Sequence, residues 1–130
     1  MNKESQKIMS ICSADGQINQ HQLKIYIHPD QNVSMEIDLF NDVFKDYDAF
    51  GCLCKLRQKL ERQNLWILCN GARIDCYPSG MCREMGCGFS VYELQLGVHA
   101  KRENLVKTFD YAPLNTLATV KQQYERIEPG

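Results

Sequence analysis

Residues 22–40 read QLKIYIHPDQNVSMEIDLF, and this stretch decides the fold because two alternating runs flank one turn. In the first run, three apolar residues alternate with Lys24, Tyr26 and His28: they are Leu23, Ile25 and Ile27. After the turn residues PDQN, the second run repeats the alternation, with Met35, Ile37 and Leu39. Because successive side chains of a strand point to opposite faces, the pattern predicts a β-hairpin with one apolar face.

A helix is predicted to follow the hairpin, beginning after Asp48, whose side chain suits an N-cap. Apolar residues then recur at spacings of four, three and four, the stripe of an amphipathic helix: Ala49, Leu53, Leu56 and Leu60. The charged residues of this segment are assigned to positions off the stripe and interpreted as solvated surface charge: Lys55, Arg57, Lys59, Glu61 and Arg62.

The dipeptide Asn70-Gly71 separates two β-rich runs, LWILC and ARIDCY, and is the strongest local signal in the chain. Because Asn-Gly supplies the positive φ angles of a type I′ turn, it predicts a second hairpin. Two further strands are predicted: one in residues 89–97, FSVYELQLG, and a shorter one around Leu105 to Phe109 within NLVKTFDYA.

A final helix is predicted after Pro113 and before Pro129, with four residues on its apolar side: Leu114, Leu117, Val120 and Tyr124. The order hairpin, helix, hairpin, loop, two strands and helix predicts an α+β fold. We expect one mainly antiparallel sheet with the helices packed on one face, a two-layer sandwich.

The composition favours one ordinary globular domain. The chain has 130 residues, of which 44% are hydrophobic, and we expect a single domain over residues 1–130, with residues 1–6 as a candidate disordered segment. The net charge of -1 gives no overall basic excess for nucleic acid. No signal peptide and no run of about 18 apolar residues is visible, so a cytoplasmic protein without membrane contact is expected.

The seven cysteines are interpreted as reduced packing residues, because their number is odd and no export signal accompanies them. None of them forms a CxxC pair, the close spacing typical of structural zinc sites, and we expect neither a metal nor a cofactor. Cys76 and Arg83 are separated by one residue too many for the phosphate-binding loop of a cysteine phosphatase. Residues 71–88 are therefore interpreted as a structural loop, with Arg73 and Arg83 hydrogen-bonded to Asp75 or to carbonyl groups.

Residues 36–48 form a locally acidic segment. Five acids stand against the single base Lys45: Glu36, Asp38, Asp42, Asp46 and Asp48. Aromatic residues, among them Phe44 and Tyr47, are interleaved with these acids, as in an interface for a basic partner. The predicted partner-binding residues are these five acids together with Phe44, Tyr47 and Arg83. The alternative is an ordinary acidic turn whose aromatic side chains pack on the core.

The stretch LWILCNGARIDCYPSGMCREMGCGFSVYELQLG, with the later LVKTFDYAP, resembles a family of small bacterial cytoplasmic proteins. Some members of that family resemble immunity proteins of contact-dependent growth inhibition and polymorphic toxin systems. The resemblance covers roughly residues 50–125, and its most specific part is NGARIDCYPSGMCREMG. It implies a protein that binds the C-terminal domain of a cognate toxin, often a nuclease, and blocks its active site or substrate surface. It implies no catalytic residue and no direct contact with nucleic acid.

Two alternatives of other classes stay open. The first is a small enzyme that uses the 71–88 loop as its active site, with Cys82 or Cys76 as nucleophile and Arg83 as anion binder. The second is a module that binds a small ligand or nucleic acid through four basic residues: Arg73, Arg83, Lys101 and Arg102.

Overall fold

A computed structural model describes residues 3–94 and 102–127. The strands are β1 Lys3–Cys12, β2 Ile18–Ile27, β3 Val33–Ile37, β4 Phe44–Asp46, β5 Trp66–Ile67, β6 Cys76–Tyr77, β7 Ser90–Glu93 and β8 Leu105–Lys107. The α-helices are α1 Ala49–Arg62, α2 Gly80–Glu84 and α3 Val120–Ile127, and 3₁₀ turns cover Asn70–Ala72, Arg102–Asn104 and Leu114–Thr116. The predicted α+β class is confirmed.

The strands form two antiparallel sheets rather than one. The larger has the order β4-β3-β2-β1-β5, and the smaller has the order β6-β7-β8. Helix α1 lies against the larger sheet and contacts β3, β4 and β5. The predicted arrangement of helix on sheet therefore holds for the larger sheet, which contributes most of the apolar core.

The hairpin predicted from residues 22–40 is confirmed as β2 and β3. Its apolar residues face each other in register, Leu23 opposite Ile37 and Ile25 opposite Met35, and all four are buried. In the connecting turn, Gln31 takes a positive φ of 74°. The turn therefore reverses the chain without disturbing the inward alternation of either strand.

Strand β1 was not predicted. It pairs with β2 over its full length, from Lys3 opposite Ile27 to Cys12 opposite Ile18. Its first residues, for which looseness was expected, thus lie in the ladder. The N-terminal half of β1 is polar, and only Met9, Ile11 and Cys12 are buried. The hydrophobic pattern is too short there to signal a strand of ten residues.

Helix α1 begins as predicted, since Asp48 Oδ1 accepts a hydrogen bond from the Gly51 N–H at 2.8 Å. The interpretation of its charges as solvated is wrong for Arg57, whose exposure is 2%. Arg57 follows Leu53 by four residues and precedes Leu60 by three, so it shares their buried face.

Arg57 and Gln123 of α3 form a buried polar cluster, the Arg57–Gln123 hub. Arg57 donates to Gln123 Oε1 at 2.7 Å, to the Ala118 carbonyl at 2.7 Å and to the Gly71 carbonyl at 3.2 Å. Gln123 Nε2 lies 2.8 to 2.9 Å from three carbonyl oxygens, those of Gly71, Arg73 and Cys76. The hub thus fastens α1, the 70–76 segment and the C-terminal helix to one another.

The hairpin predicted at Asn70-Gly71 is wrong. Neither residue takes a positive φ, and they belong to a 3₁₀ turn, while β5 pairs with β1 and β6 with β7. A Cβ on Gly71 would lie 2.6 Å from Leu53 Cδ2 and 2.7 Å from Thr108 Cγ2. Close packing against two side chains therefore explains this glycine, and a turn conformation does not.

The last helix starts later than predicted. A 3₁₀ turn follows Pro113, and α3 begins at Val120. Gln123 is its buried residue, whereas Leu114 and Tyr124 are 45% and 53% exposed, so the buried face differs from the predicted stripe.

The strand predicted at residues 89–97 is confirmed in its first half as β7, and its second half lies outside the described residues. No described helix is long and apolar enough to cross a membrane.

Candidate protein-binding surface

A groove of the described surface lies where the β2–β3 turn meets the end of β4. Its volume is about 470 Å³, and its walls include His28, Asp30, Ser34, Lys45, Tyr47 and Lys55. We call it the Tyr47 groove. Three of its lining residues, Lys45, Asp46 and Tyr47, belong to the 36–48 segment for which the sequence predicted partner binding, so the placement of that segment bears on what the groove can do.

Tyr47 is the most exposed of the large hydrophobic side chains that the structure describes, at 84%. Its backbone is held on both sides: its N–H donates to Asp46 Oδ1 at 2.6 Å, and the next residue, Asp48, caps α1. An aromatic side chain on a fixed backbone loses little conformational entropy when a partner covers it. Tyr47 therefore has the properties of an interface anchor.

Asp38 and Asp42, two surface acids of the segment, already have basic partners. Asp38 lies 2.7 Å from His21 Nδ1 and accepts the Gln22 N–H at 3.0 Å. That N–H, followed by His21, lowers the pKa of Asp38. Asp42 forms an ion pair with Lys59. Both bases come from other elements of the chain, β2 and α1.

The last two acids lie at the N-terminus of α1. Asp46 is 3.5 Å from Lys55 Nζ, and a Cβ on Gly51 would lie 2.5 Å from its carboxyl carbon. Asp48 is 1% exposed and accepts two hydrogen bonds from Arg83, at 2.8 and 3.0 Å. These bonds raise the pKa of Arg83. Both carboxylates therefore stabilise the helix end, where negative charge is favoured.

The predicted partner-binding residues thus divide into two groups. Phe44 and Asp48 are 9% and 1% exposed and belong to the interior, which corrects their assignment to a contact surface. Phe44 packs in the core of the larger sheet, and Asp48 must stay buried to cap α1. Side chains that reach the surface at least in part are those of Glu36, Asp38, Asp42, Asp46, Tyr47 and Arg83.

The five acids do not form an unpaired acidic patch. Four of them are matched by His21, Lys59, Lys55 and Arg83, which lie outside the 36–48 segment in sequence. The fifth, Glu36, lies opposite Lys24 in the β2–β3 register. The charge imbalance of the segment is therefore a property of the sequence that tertiary contacts largely cancel.

The 71–88 loop uses its arginines internally. Arg73 binds both oxygens of Asp75, at 2.8 and 2.6 Å, and Glu93 at 2.9 Å, as predicted for Asp75. Arg83 reaches Asp48 instead of a loop carbonyl. Both guanidinium groups are thus engaged by carboxylates, which leaves the loop without a free arginine for an anion. Lys101, one of the alternative basic residues, lies outside the described residues.

The seven cysteines are free thiols. Burial raises the pKa of Cys52 and of Cys76 to about 12 and that of Cys69 to about 11. Cys82 and Cys87 are half-buried. In residues 3–94 and 102–127, no group of three or more His, Cys, Asp or Glu side chains is placed to hold a metal ion. A Cys76 thiol in this environment stays protonated at neutral pH, which disfavours it as a nucleophile.

Sequence reasoning missed the groove residues that come from outside the acidic segment: His28, Asp30, Ser34 and Lys55. No local pattern could assign them, because the groove exists only once the β2–β3 turn, β4 and α1 have come together. No protein-family model matches the chain, and no curated protein matches it. The functional assignment therefore depends on the geometry of this surface and on the family resemblance of the sequence.

Proposed function

We propose that the protein is an immunity protein, which binds the C-terminal domain of a cognate toxin in the cytoplasm and neutralises it by covering its active site or substrate surface. A nuclease is the toxin class that the resemblance favours. The observation that carries the proposal is Tyr47, an 84% exposed aromatic side chain on a fixed backbone beside a groove of about 470 Å³. Exposed aromatic anchors beside a groove are typical of protein interfaces.

Two of the side chains that an enzyme would need are buried or already paired within the fold, which favours a binding role. In the rival hypothesis, Cys82 or Cys76 attacks a substrate, and Arg83 binds its anion in either case. Cys76 is 1% exposed, and Arg83 is held by the Asp48 carboxylate at 2.8 Å. Breaking that ion pair would leave the buried Asp48 without its charged partner, at an energetic cost. A binding role requires no such rearrangement.

The test is co-expression with the toxin domain encoded by the adjacent reading frame, followed by growth and affinity measurements. We expect the wild-type chain to restore growth. Tyr47→Ala should weaken binding by about 2 kcal/mol, roughly 30-fold, while the melting temperature stays unchanged. Tyr124→Ala is the matched control, because Tyr124 is 53% exposed on α3.

Two results would contradict the proposal. One is the absence of any complex between the two purified proteins. The other is equal binding by the Tyr47→Ala and Tyr124→Ala variants, which would move recognition away from the Tyr47 groove. A change in melting temperature for Tyr47→Ala would call for Tyr47→Ser, which also removes the ring but places a polar group at this exposed position, measured in the same way.

A further inference from the structure

The Tyr47 groove is lined by two bases, Lys45 and Lys55, and by two acids, Asp30 and Asp46, which differ in how far their polar atoms are already bonded. Lys45 is exposed, and it forms no ion pair with any carboxylate in the described part of the chain. Lys55 is 53% exposed and lies 3.5 Å from Asp46, a long distance for an ion pair. Its ammonium group also donates to the Lys45 carbonyl, which holds it at the groove wall.

The acids of the groove, by contrast, are engaged within the fold. Asp46 accepts the Tyr47 N–H at 2.6 Å and faces Lys55. Asp30 uses both of its carboxylate oxygens in its own turn, where they accept the Asn32 backbone N–H and side-chain amide at 3.0 Å each. Hydrogen bonds of this kind occupy the acceptor sites of a carboxylate and fix its orientation, although its negative charge remains. Lys45 has no comparable partner among the described residues, so its ammonium group is available to an incoming carboxylate, whereas the oxygens of Asp30 and Asp46 are already bonded.

A second groove of about 330 Å³ continues this character on the other side of the β2–β3 turn. It shares His28 with the Tyr47 groove and adds Lys3. Lys3 is exposed and likewise forms no ion pair among the described residues. Cationic side chains therefore flank the turn on both sides, while Tyr47 supplies the apolar contact between them and a partner.

We propose that the partner segment that docks in the Tyr47 groove is acidic, with its carboxylates between Lys45 and Lys55 and its apolar atoms on Tyr47. This inference rests on the proposed function, and it reverses the polarity predicted from the acidic segment. Opposite charges at the rim of an interface mainly accelerate association. The acidic residues Asp38 and Asp42, each already paired with a base, add little to that attraction.

The test compares association rates of the toxin domain with Lys45→Glu and with Lys121→Glu. Both variants change the net charge equally, and Lys121 is 87% exposed on α3 and does not line the groove. We expect Lys45→Glu to slow association about tenfold at about 0.01 M salt, where charges interact over about 30 Å. The difference should vanish at about 1 M salt, and Lys121→Glu should behave as the wild type.

A probe that needs no toxin provides a second readout. A short fluorescein-labelled poly-glutamate peptide should bind the wild-type protein more tightly than a poly-lysine peptide, and Lys45→Glu should remove that preference. Stronger binding of poly-lysine would overturn the inference. So would poly-glutamate binding that Lys7→Glu abolishes and Lys45→Glu does not, because it would place the anion site at another groove.

The two proposals fail separately. If Tyr47→Ala weakens toxin binding while Lys45→Glu leaves the association rate unchanged, the acidic-segment inference is wrong and the immunity function stands. If Tyr47→Ala has no effect, the proposed binding surface is wrong whatever the salt dependence. Melting temperatures of all variants, expected to match the wild type, show that each effect arises at the surface.

Discussion

The larger sheet and the C-terminal part of the molecule are held together by different means. In the larger sheet, apolar residues of β1, β2 and β3 pack against α1 in one continuous core. In the C-terminal part, α3 is held mainly by the Arg57–Gln123 hub, and its one buried residue is Gln123. Apolar packing tolerates small shifts in position, whereas hydrogen bonds in the interior fail when one partner is removed. The two regions should therefore respond differently to substitution.

The largest effect is expected from Gln123→Leu. The substitution removes the donor for three carbonyl oxygens and the acceptor for Arg57, and it leaves the guanidinium charge buried. We expect a loss of about 4 kcal/mol or more in the free energy of unfolding, measured by urea denaturation. Gln58→Leu, at an exposed position of α1, is the control and should change stability by less than about 0.5 kcal/mol.

Arg57→Met tests the Arg57–Gln123 hub from its other side, because it removes the buried charge together with the hydrogen bonds. It should cost less than Gln123→Leu, about 2–3 kcal/mol, since no unpaired charge remains in the interior. The double variant should then be less destabilised than the sum of the two single variants. Additive losses would show that the two side chains act independently and that the hub is not one unit.

The larger sheet is tested by Ile25→Ala, which truncates a fully buried side chain of β2. A loss of about 2–3 kcal/mol in the free energy of unfolding is expected from lost burial and the remaining cavity.

Hydrogen exchange separates the regions: Gln123→Leu should expose amides of α3 first, and Ile25→Ala should lower protection throughout β2 and β3. The same pattern of lost protection in both variants would mean that the molecule opens as one unit.

A smaller effect is expected at the junction between α1 and the 71–88 loop. Arg83→Ala removes the charged partner of Asp48, whose carboxylate keeps its bond to the Gly51 N–H. The expected loss is about 1–2 kcal/mol, because Arg83 is 38% exposed and water can partly replace it. Thermal unfolding of Arg83→Ala beside Arg62→Ala, an exposed arginine at the end of α1, tests this estimate.

The smallest effect comes from the buried thiols and depends on pH. Cys52 and Cys76 have their pKa raised from 9.0 to about 12 by burial, so the unfolded chain releases these protons first. Protonated thiols therefore favour the folded state, and this contribution to the free energy of unfolding is fully present below pH 9. It is lost as the pH rises toward about 12. Cys76→Ala should therefore show a shallower fall in melting temperature between pH 8.5 and pH 10.5, on the order of a few degrees. Equal slopes would contradict burial of this thiol.

Much of the larger sheet could be predicted from the sequence. Leu23 and Ile25 alternate strictly, and Asp48 stands directly before an apolar stripe, so both signals are local. Strand β1 escaped prediction because its buried residues are confined to its C-terminal end. Arg57 could have been placed correctly, because its spacing from Leu53 and Leu60 is that of the buried stripe.

The candidate site was much less predictable. Tyr47 and Phe44 are both aromatic residues of the acidic segment, and nothing local indicates that the first is exposed and the second buried. The bases that pair with Asp42 and Asp46 lie on α1, Lys59 at 17 positions from Asp42. The acidic excess counted along the sequence therefore does not become an acidic surface, because the fold places α1, with its lysines, beside β4.

The dependence of Arg57 on Gln123 also bears on how the chain folds as it is synthesised. The two residues are 66 positions apart. At about 5–20 residues per second, α1 leaves the ribosome roughly 3–13 s before its last partner has been made. During that interval the guanidinium group remains hydrated, so α1 cannot bury this face. The nascent β2–β3 hairpin can pair early, but the interior must wait for α3, and a chain stalled before Gln123 would present an exposed, half-apolar helix to chaperones and proteases.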